Sequence, residues 1–251
     1  MTDRRERIVR AFAQAPDYER QARVQRLVAQ KLAARIAALD LPECPRVLEI
    51  GCGTGFLTQA LLDRGMGGRW TITDIAPEMV ERCRSRIGES SMRHFEVLDG
   101  EHGTPPGLPF DLVCSSLAIQ WFDDAAAALS RMANWLAPGG HCMVTTLGPG
   151  SFAEWRAAHE AEGLAPGTPD FAPPEAFAAL DPAGLHIEDH VERNADARAF
   201  LRSLKAIGAG TAAPRHRPLS PAALRRVMAR FEEAGSAVTY EVVTCHLHRA
   251  R

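Results

Sequence analysis

Three glycines at alternate positions follow a short apolar run that ends in an acid, and this stretch carries the clearest chemistry in the 251-residue sequence. It reads VLEIGCGTG over residues 47–55 and predicts a buried strand, a tight turn and a helix that begins near Phe56. Glycine adopts positive φ without steric cost and has no Cβ, so the backbone of such a turn can lie directly against a ligand. At the start of a helix this turn indicates a nucleotide site, although an ordinary strand-to-helix turn also contains glycine.

The residues missing from the turn narrow the kind of nucleotide. A dinucleotide fingerprint requires a third glycine where Phe56 stands, and a phosphate-binding loop requires a Gly-Lys-Ser/Thr sequence that is absent here. The remaining pattern, E-x-G-x-G-x-G, resembles the first motif of the class I methyltransferases that use S-adenosylmethionine. The resemblance implies that the loop contacts the methionine part of this cofactor through Glu49, Gly51, Cys52, Gly53 and Gly55.

Acidic side chains also follow the next two predicted strands. Asp74 stands about 20 residues beyond the glycine turn, a spacing that suits a carboxylate on the ribose hydroxyls, although an Asp at a strand end can also cap a helix. Asp99 can accept the adenine amino group, although an Asp-Gly pair also forms turns. Ligands of parallel sheets bind at the carboxyl ends of the strands. The cofactor contacts expected at this edge are Asp74, Ile75, Asp99, Gly100 and Ser115.

Strands and helices alternate along most of the chain, which predicts right-handed crossovers and a parallel sheet. The predicted strands are 46–50, 70–73, 93–98, 110–115, 141–146, 185–191 and 238–246. The predicted helices are 56–64, 77–87, 123–136, 151–162 with Ser151 as its cap, 197–207 and 221–231, and residues 4–39 are helical with a break at Pro16-Asp17. We therefore expect an α/β, Rossmann-like fold with a mostly parallel seven-stranded sheet and helices on both faces.

The stretches that flank this alternating region resemble a narrower family. They are FAQAPDYERQARVQ (12–25), LAIQW (117–121), TTLGPGS (145–151) and LRSLKAIGA (201–209), and together they are similar to the malonyl-acyl-carrier-protein O-methyltransferases of biotin synthesis. The run LKAIGA is the more discriminating part, because other carboxyl methyltransferases, such as the trans-aconitate enzyme, have a similar Gln-Trp stretch. The loop 101–109 is longer than the family pattern, so the resemblance is weakest on the adenine side.

This resemblance implies methyl transfer from S-adenosylmethionine to the free carboxylate of a malonyl thioester on acyl-carrier protein or coenzyme A, with S-adenosylhomocysteine as the second product. It divides the chain into an N-terminal helical lid (1–41), a cofactor-binding core (42–192), a helical insertion over the active site (193–236) and a final core strand (237–251). In the lid, Tyr18 is a candidate cofactor contact. The basic residues of this segment are also consistent with an ordinary solvated helix face.

A carboxylate acceptor is ionised at neutral pH and needs no general base, but it needs a cationic or donor-rich clamp. Residues 193–231 contain nine basic side chains and one acid, whereas residues 150–192 contain nine acids and one base. An acidic carrier protein would be attracted to the basic stretch, in which Arg202 and Lys205 lie at i and i+3 on one helix face. We predict substrate or partner contacts for this pair. Gln120 and Trp121 are the candidate catalytic residues, although Trp121 can equally belong to the core or contact the sulfonium through its π face.

The composition favours some classes of protein over others. A net charge of −2 gives no sign of a nucleic-acid binder, no apolar run reaches the ~20 residues of a membrane span, and the charged residues 1–10 lack the apolar region of a secretory signal. Six scattered cysteines without a C-x-x-C pair predict reduced thiols and a cytoplasmic protein. His246 and His248 share a strand face without a third ligand at sensible spacing, so we predict surface histidines and no metal.

We expect a monomer with no nucleic-acid or membrane partner. Two alternatives to the malonyl thioester enzyme stay open from the sequence. One is a carboxyl methyltransferase of a small free acid, and the other is an assembly factor that binds S-adenosylmethionine without methylating.

Overall fold

The computed structural model describes residues 3–13, 18–207 and 216–251, with only the backbone described for Asp3, Arg4 and Tyr18. The strands of this part are β1 Arg46–Ile50, β2 Arg69–Asp74, β3 Arg93–Val97, β4 Phe110–Ser116, β5 Leu136–Leu147, β6 Gly184–Arg193 and β7 Ala237–His248. The helices are α1 Asp3–Ala13, α2 Tyr18–Gln21, α3 Arg23–Ile36, α4 Phe56–Leu62, α5 Pro77–Ile87, α6 Ala125–Ala133, α7 Ala153–Glu160, α8 Pro174–Ala178, α9 Ala197–Ala206 and α10 Pro221–Glu233.

The described strands form one sheet in the order β3-β2-β1-β4-β5-β7-β6. Neighbours from β3 to β5 are parallel. Hydrogen bonds join Arg249 to Gly140 and Gly148 to Glu241, so β7 runs antiparallel to β5. The strand order reverses beside β1, and this is where ligands of open α/β sheets bind. The predicted fold class, a mostly parallel seven-stranded α/β sheet, is confirmed.

Residues 25–146, 172–187 and 243–251 form one compact unit, which we call the core unit. Successive residues of a strand point to opposite faces of the sheet. In β1, Val47 accordingly packs in an apolar cluster with α3, α4 and α5, whereas Leu48 packs in a second cluster with α6 and with Phe177 of α8. Helices therefore cover both faces of the sheet, and Leu32 and Ile36 of α3 are fully buried in the first cluster.

The described residues within 1–24, 147–171 and 188–242 form a second compact unit. We call it the C-terminal unit, because most of it follows residue 146. Its core is aromatic. The Trp155 ring packs edge-on against Phe200 and Phe231, with centroids 5.5 and 5.4 Å away, and Phe152 packs edge-on against Tyr240 at 5.2 Å. Such pairs add specific ring geometry to a large buried apolar area. They fix α7, α9 and α10 to one another.

Several expected element ends differ in the structure, and two of them have a clear physical cause. Ser151 does not cap α7, because its Oγ donates to the carbonyl of Glu241 at 3.2 Å and accepts from the Glu241 N–H at 3.1 Å, and Phe152 is the residue that precedes the helix. The helix predicted over 123–136 ends at Ala133, because Leu136 already pairs with Phe110 in the sheet. The short helix α8 was not predicted.

Candidate functional site

The glycine turn after β1 has a backbone that only glycine adopts at little cost. Gly51, Gly53 and Gly55 have φ of +70°, +53° and +87°, all in the left-handed region. Gly55 directly precedes α4, and a Cβ on Gly51 would lie 2.3 Å from the Cβ of Ala118. The turn therefore needs glycine for its backbone conformation, and at Gly51 it also packs directly against Ala118, just after β4.

Asp74, at the end of β2, holds this turn in place. One of its carboxylate oxygens accepts from the N–H of Gly53 and the other from the N–H of Ala76, each at 2.9 Å. Burial raises the pKa of Asp74, and these N–H bonds, with that of Ile75, oppose the rise. A carboxylate offers about four acceptor sites, so the turn contacts leave room for ligand hydroxyls. Asp74 does not cap α5, because the N-cap residue of this helix is Ala76 and no side chain caps it. The ribose contact predicted for Asp74 stays a prediction.

Glu49 is a buried acid, only 1% exposed, just before the turn. The Thr58 hydroxyl of α4 donates to its carboxylate at 2.5 Å. Burial is the main cause that raises the pKa of Glu49 to about 7, and the nearby charge of Asp74 adds to the rise. Glu49 thus links β1 to α4, and burial makes it hold its proton more tightly than an exposed glutamate does. Its predicted cofactor contact stays a prediction.

The turn after β3 is organised by two acids, one of which the sequence reasoning missed. Asp99 accepts from the N–H groups of Glu101 and His102 at 2.9 and 3.2 Å, which is the turn-forming role. Glu101 is 4% exposed, and one of its oxygens accepts from the N–H of both Asp123 and Asp124 at 2.8 Å. It therefore ties the loop after β3 to the start of α6. No sequence signal distinguishes Glu101, since an acid after Asp-Gly looks like an exposed turn residue.

Gly100 lies against the end of β1. A Cβ there would be 2.3 Å from Cγ2 of Ile50 and 3.2 Å from Cζ of Phe122. The loop after β3 consequently approaches β1 on the same edge as the glycine turn. Its predicted adenine contacts, by Asp99 and Gly100, stay predictions.

The exit of β4 is a strained turn that carries Gln120 and Trp121. Leu117 has φ of +49°, and its N–H donates to the carbonyl of Thr145 at 3.0 Å. A one-turn helix, Ile119–Trp121, follows, and the Gln120 amide donates to the carbonyl of Leu117 at 2.6 Å. Non-glycine residues at positive φ are frequent at functional sites, where the surrounding structure holds them. Here the strain fixes the direction in which the chain leaves β4.

In the part of the chain that the structure describes, three of the six buried polar side-chain atoms without a partner lie at this edge of the sheet. They are Oγ1 of Thr54, Oγ of Ser115 and the side-chain carbonyl oxygen of Gln120. Thr54 belongs to the glycine turn, and the other two lie at the end of β4 and just after it. Unsatisfied buried polar groups are rare in native proteins and call for an explanation. A polar ligand bound beside the glycine turn supplies one, so the residues fit S-adenosylmethionine.

The predicted residues outside the core unit fall into two groups. The side chain of Tyr18 lies outside the described residues. Arg202 and Lys205 are both on α9 in the C-terminal unit, but they line different cavities. Lys205 lines a cavity of about 560 Å³ with aromatic walls that include Phe152 and Trp155, and Arg202 lines a groove of about 430 Å³ between α9 and α10.

The histidines of β7 have a neighbour that the sequence did not suggest. His141 is hydrogen-bonded to His246 at 2.9 Å and stacks on His248 with ring centroids 4.6 Å apart. Burial, with the two neighbouring rings, lowers the pKa of His141 to about 4. Of the two histidines predicted at the surface, His248 is exposed and His246 is only partly exposed. Within 3–13, 18–207 and 216–251, no cluster of three or more His, Cys, Asp or Glu could hold a metal ion.

In the described part of the chain, no helix is both long and apolar enough to cross a membrane.

Comparison with known proteins matches the chain to one family model and to relatives whose names agree with that family. Residues 47–140 match the family model described as a methyltransferase domain. The chain is 45% identical over 238 residues to the biotin biosynthesis bifunctional protein BioCD of Bordetella avium. The aligned region covers 93% of this chain and 50% of the relative, so the chain spans half the length of that protein. It is 40% identical to the malonyl-[acyl-carrier protein] O-methyltransferase of Magnetococcus marinus, over 96% of this chain and 92% of the relative.

Among solved structures, the N-methyltransferase NodS of Bradyrhizobium japonicum in complex with S-adenosyl-L-homocysteine matches all of both chains, with a TM-score of 0.54 and 16% identity. This likeness supports the class I methyltransferase fold.

Proposed function

The chain belongs to the malonyl-[acyl-carrier protein] O-methyltransferase family, and from this premise we propose that it methylates the free carboxylate of a malonyl thioester on an acyl-carrier protein. The methyl donor is S-adenosylmethionine, and S-adenosylhomocysteine is released. The other product is a malonyl methyl ester for biotin synthesis, whose carboxylate is masked so that fatty-acid elongation accepts it.

The observation that carries this proposal is the set of features on one edge of the sheet. The glycine turn has three left-handed glycines at the start of α4, and Thr54, Ser115 and Gln120 have buried polar atoms without partners among the described residues. We assign the methionine part of the cofactor to the glycine turn, the ribose to Asp74 and the adenine to the loop that begins at Asp99. When bound, S-adenosylmethionine would supply a methyl group on a positively charged sulfonium, from which the neutral thioether of S-adenosylhomocysteine is a good leaving group.

The protein's own contribution is alignment and exclusion of water. The acceptor carboxylate is ionised at neutral pH, so no residue has to remove a proton from it. We assign the positioning of the acceptor to Gln120 and Trp121. Both follow the strained turn at Leu117, which fixes the direction in which the chain leaves β4. The hydrogen bond from the Gln120 amide to Leu117 leaves its carbonyl oxygen available, and the face of Trp121 suits a sulfonium.

Cationic contacts to the substrate or carrier are assigned to the C-terminal unit. Lys205 lines an apolar cavity, and a single ammonium in such surroundings suits one anionic group of a mainly apolar ligand. Arg202 lies in a different recess, and its role is developed below. We also propose a monomer in a reducing, cytoplasmic compartment. The free state of all six cysteines, five of which are buried, supports the compartment, and sedimentation analysis tests the monomer.

The test of the proposed function is transfer of a labelled methyl group to a panel of acceptors: malonyl-carrier protein, malonyl-CoA, free malonate and trans-aconitate. We expect label on the thioesters, with the carrier protein as the better acceptor. Label on the free acids alone would exclude a thioester substrate. Tight binding of S-adenosylmethionine with no label on any acceptor would instead indicate a protein that binds the cofactor without methylating.

A further inference from the structure

The groove between α9 and α10 combines an apolar floor with a basic rim. Its walls are Arg198, Leu201 and Arg202 from α9 and Pro221, Leu224, Arg225 and Met228 from α10, and it encloses about 430 Å³. The leucines and the methionine are partly buried, whereas all three arginines are exposed. We call this feature the basic groove. Both of its helices belong to the C-terminal unit.

The arginines of the basic groove differ from the other arginines of α10. Arg226 and Arg230 both bond to Glu162, at 2.8 and 2.9 Å, so their charge is already compensated. Within the residues that the structure describes, Arg198, Arg202 and Arg225 have no carboxylate partner. Unpaired cations around an apolar strip leave a local excess of positive charge that an anionic partner can neutralise.

The spacing of the groove residues indicates the shape of that partner. Arg198 and Arg202 are four residues apart on α9, and so are Leu224 and Met228 on α10, which places each pair along one helix face. An apolar strip flanked by cations complements an amphipathic helix whose apolar row is flanked by carboxylates. The flexible Met228 side chain can adapt to the ridge of such a helix. Nucleic acid offers no apolar ridge, so the floor of the groove favours a protein.

We propose that the basic groove docks an acidic amphipathic helix of the carrier protein that bears the malonyl thioester. This inference rests on the proposed function, because it takes its partner from the substrate. It also divides two residues that the sequence assigned to one role: Arg202 contacts the carrier, whereas Lys205 lines the separate cavity, which shares only the walls formed by Leu201 and Leu224.

The kinetic test compares two substrates that share the malonyl thioester. One is malonyl-carrier protein, and the other is malonyl-pantetheine, which has neither protein nor nucleotide charges. For Arg202→Glu and Arg225→Glu we expect KM for the carrier substrate to rise about tenfold each, with kcat kept, and the effect to shrink at high salt. KM for malonyl-pantetheine should stay the same. The matched control is Arg69→Glu, an equal charge change at an exposed position at the start of β2.

Equal changes for both substrates, or an equal effect of Arg69→Glu, would overturn the docking role. The docking role would also be overturned if sedimentation showed a dimer for the wild type and a monomer for the groove variants. The groove would then be an interface between two copies of this chain. Direct binding separates this proposal from the proposed function. Fluorescence anisotropy with labelled carrier protein that lacks the malonyl group should give weaker binding for the groove variants even if no acceptor is methylated. An affinity for the carrier protein equal to that of the wild type in both variants would contradict docking at the basic groove.

Discussion

Replacing Gly51 with alanine tests whether the turn must lie against the exit of β4. The backbone at Gly51 has φ of +70°, and an added Cβ would lie 2.3 Å from the Cβ of Ala118. Ordinary contact begins at 3.4 Å, so the two segments would have to separate by about 1.1 Å. The left-handed backbone costs an alanine about 1–2 kcal/mol, and overpacking of this kind adds about 1–3 kcal/mol. We therefore expect Gly51→Ala to lose about 2–5 kcal/mol of unfolding free energy.

The chain offers a control that isolates the contact from the backbone conformation. Gly65 has φ of +79°, but nothing lies within 4 Å of its added Cβ. Gly65→Ala should lose only the backbone part, about 1–2 kcal/mol. Adding Ala118→Gly to Gly51→Ala removes the clashing atom, because the next contact, to the Cα of Ala118, is at 3.8 Å. The double variant should regain about 1–3 kcal/mol.

The assay is urea denaturation of the four proteins, followed by calorimetric titration with S-adenosylmethionine. Affinity should fall in Gly51→Ala and recover in the double variant, since each 1.4 kcal/mol of strain in the bound turn corresponds to about tenfold in affinity. Equal losses in Gly51→Ala and Gly65→Ala, with no recovery on removing the Ala118 side chain, would refute the close approach of the two segments.

Two further predictions concern the acids beside the turn. The pKa of Glu49 lies at about 7 in the fold and at 4.5 ordinarily, so its proton stabilises the fold below pH 4.5 and that stability is lost as pH rises through 7. This group should lower the free energy of unfolding of the wild type by roughly 3 kcal/mol between these two pH values, and Glu49→Gln should remove that fall. Urea denaturation across the pH range measures it, with the exposed Glu81→Gln as control. A pH profile of stability that Glu49→Gln leaves unchanged would contradict the prediction. Asp74→Ala should weaken binding of S-adenosylmethionine about 10- to 100-fold by calorimetry, because a charged acceptor is lost, whereas Asp63→Ala should not. Unchanged affinity would exclude Asp74 from the site.

The fold was predictable where local signals and tertiary packing agree. Residues 46–50 and 77–87 have the predicted bounds, since an apolar run ending in the glycine turn defines β1 and Pro77 starts α5. The fifth strand was predicted to begin at residue 141, but β5 begins at Leu136 and runs through Pro138, Gly139 and Gly140. A register shift beside Phe110 accommodates the extra residues, and the Gly139 N–H pairs with Arg249, far away in the chain. Such a partner cannot be read from local sequence.

The candidate site shows the same division. The glycine turn could be predicted from the sequence, because positive φ at alternate positions requires glycine. Glu101 and the strained Leu117 were missed, because their roles come from contacts with Asp123, Asp124 and Thr145 that only the assembled sheet edge creates. Arg202 and Lys205 were rightly placed on one helix, but which recess each lines depends on how α10 packs against α9.

The most direct test of the whole account is mass spectrometry of malonyl-carrier protein after incubation with the enzyme and deuterium-labelled S-adenosylmethionine. We expect the mass of one labelled methyl group on the malonyl unit, released by mild base as an ester is, and none with acetyl-carrier protein, which lacks the free carboxylate. A labelled methyl group on the carrier polypeptide itself, or on the acetyl form, would contradict transfer to the malonyl carboxylate.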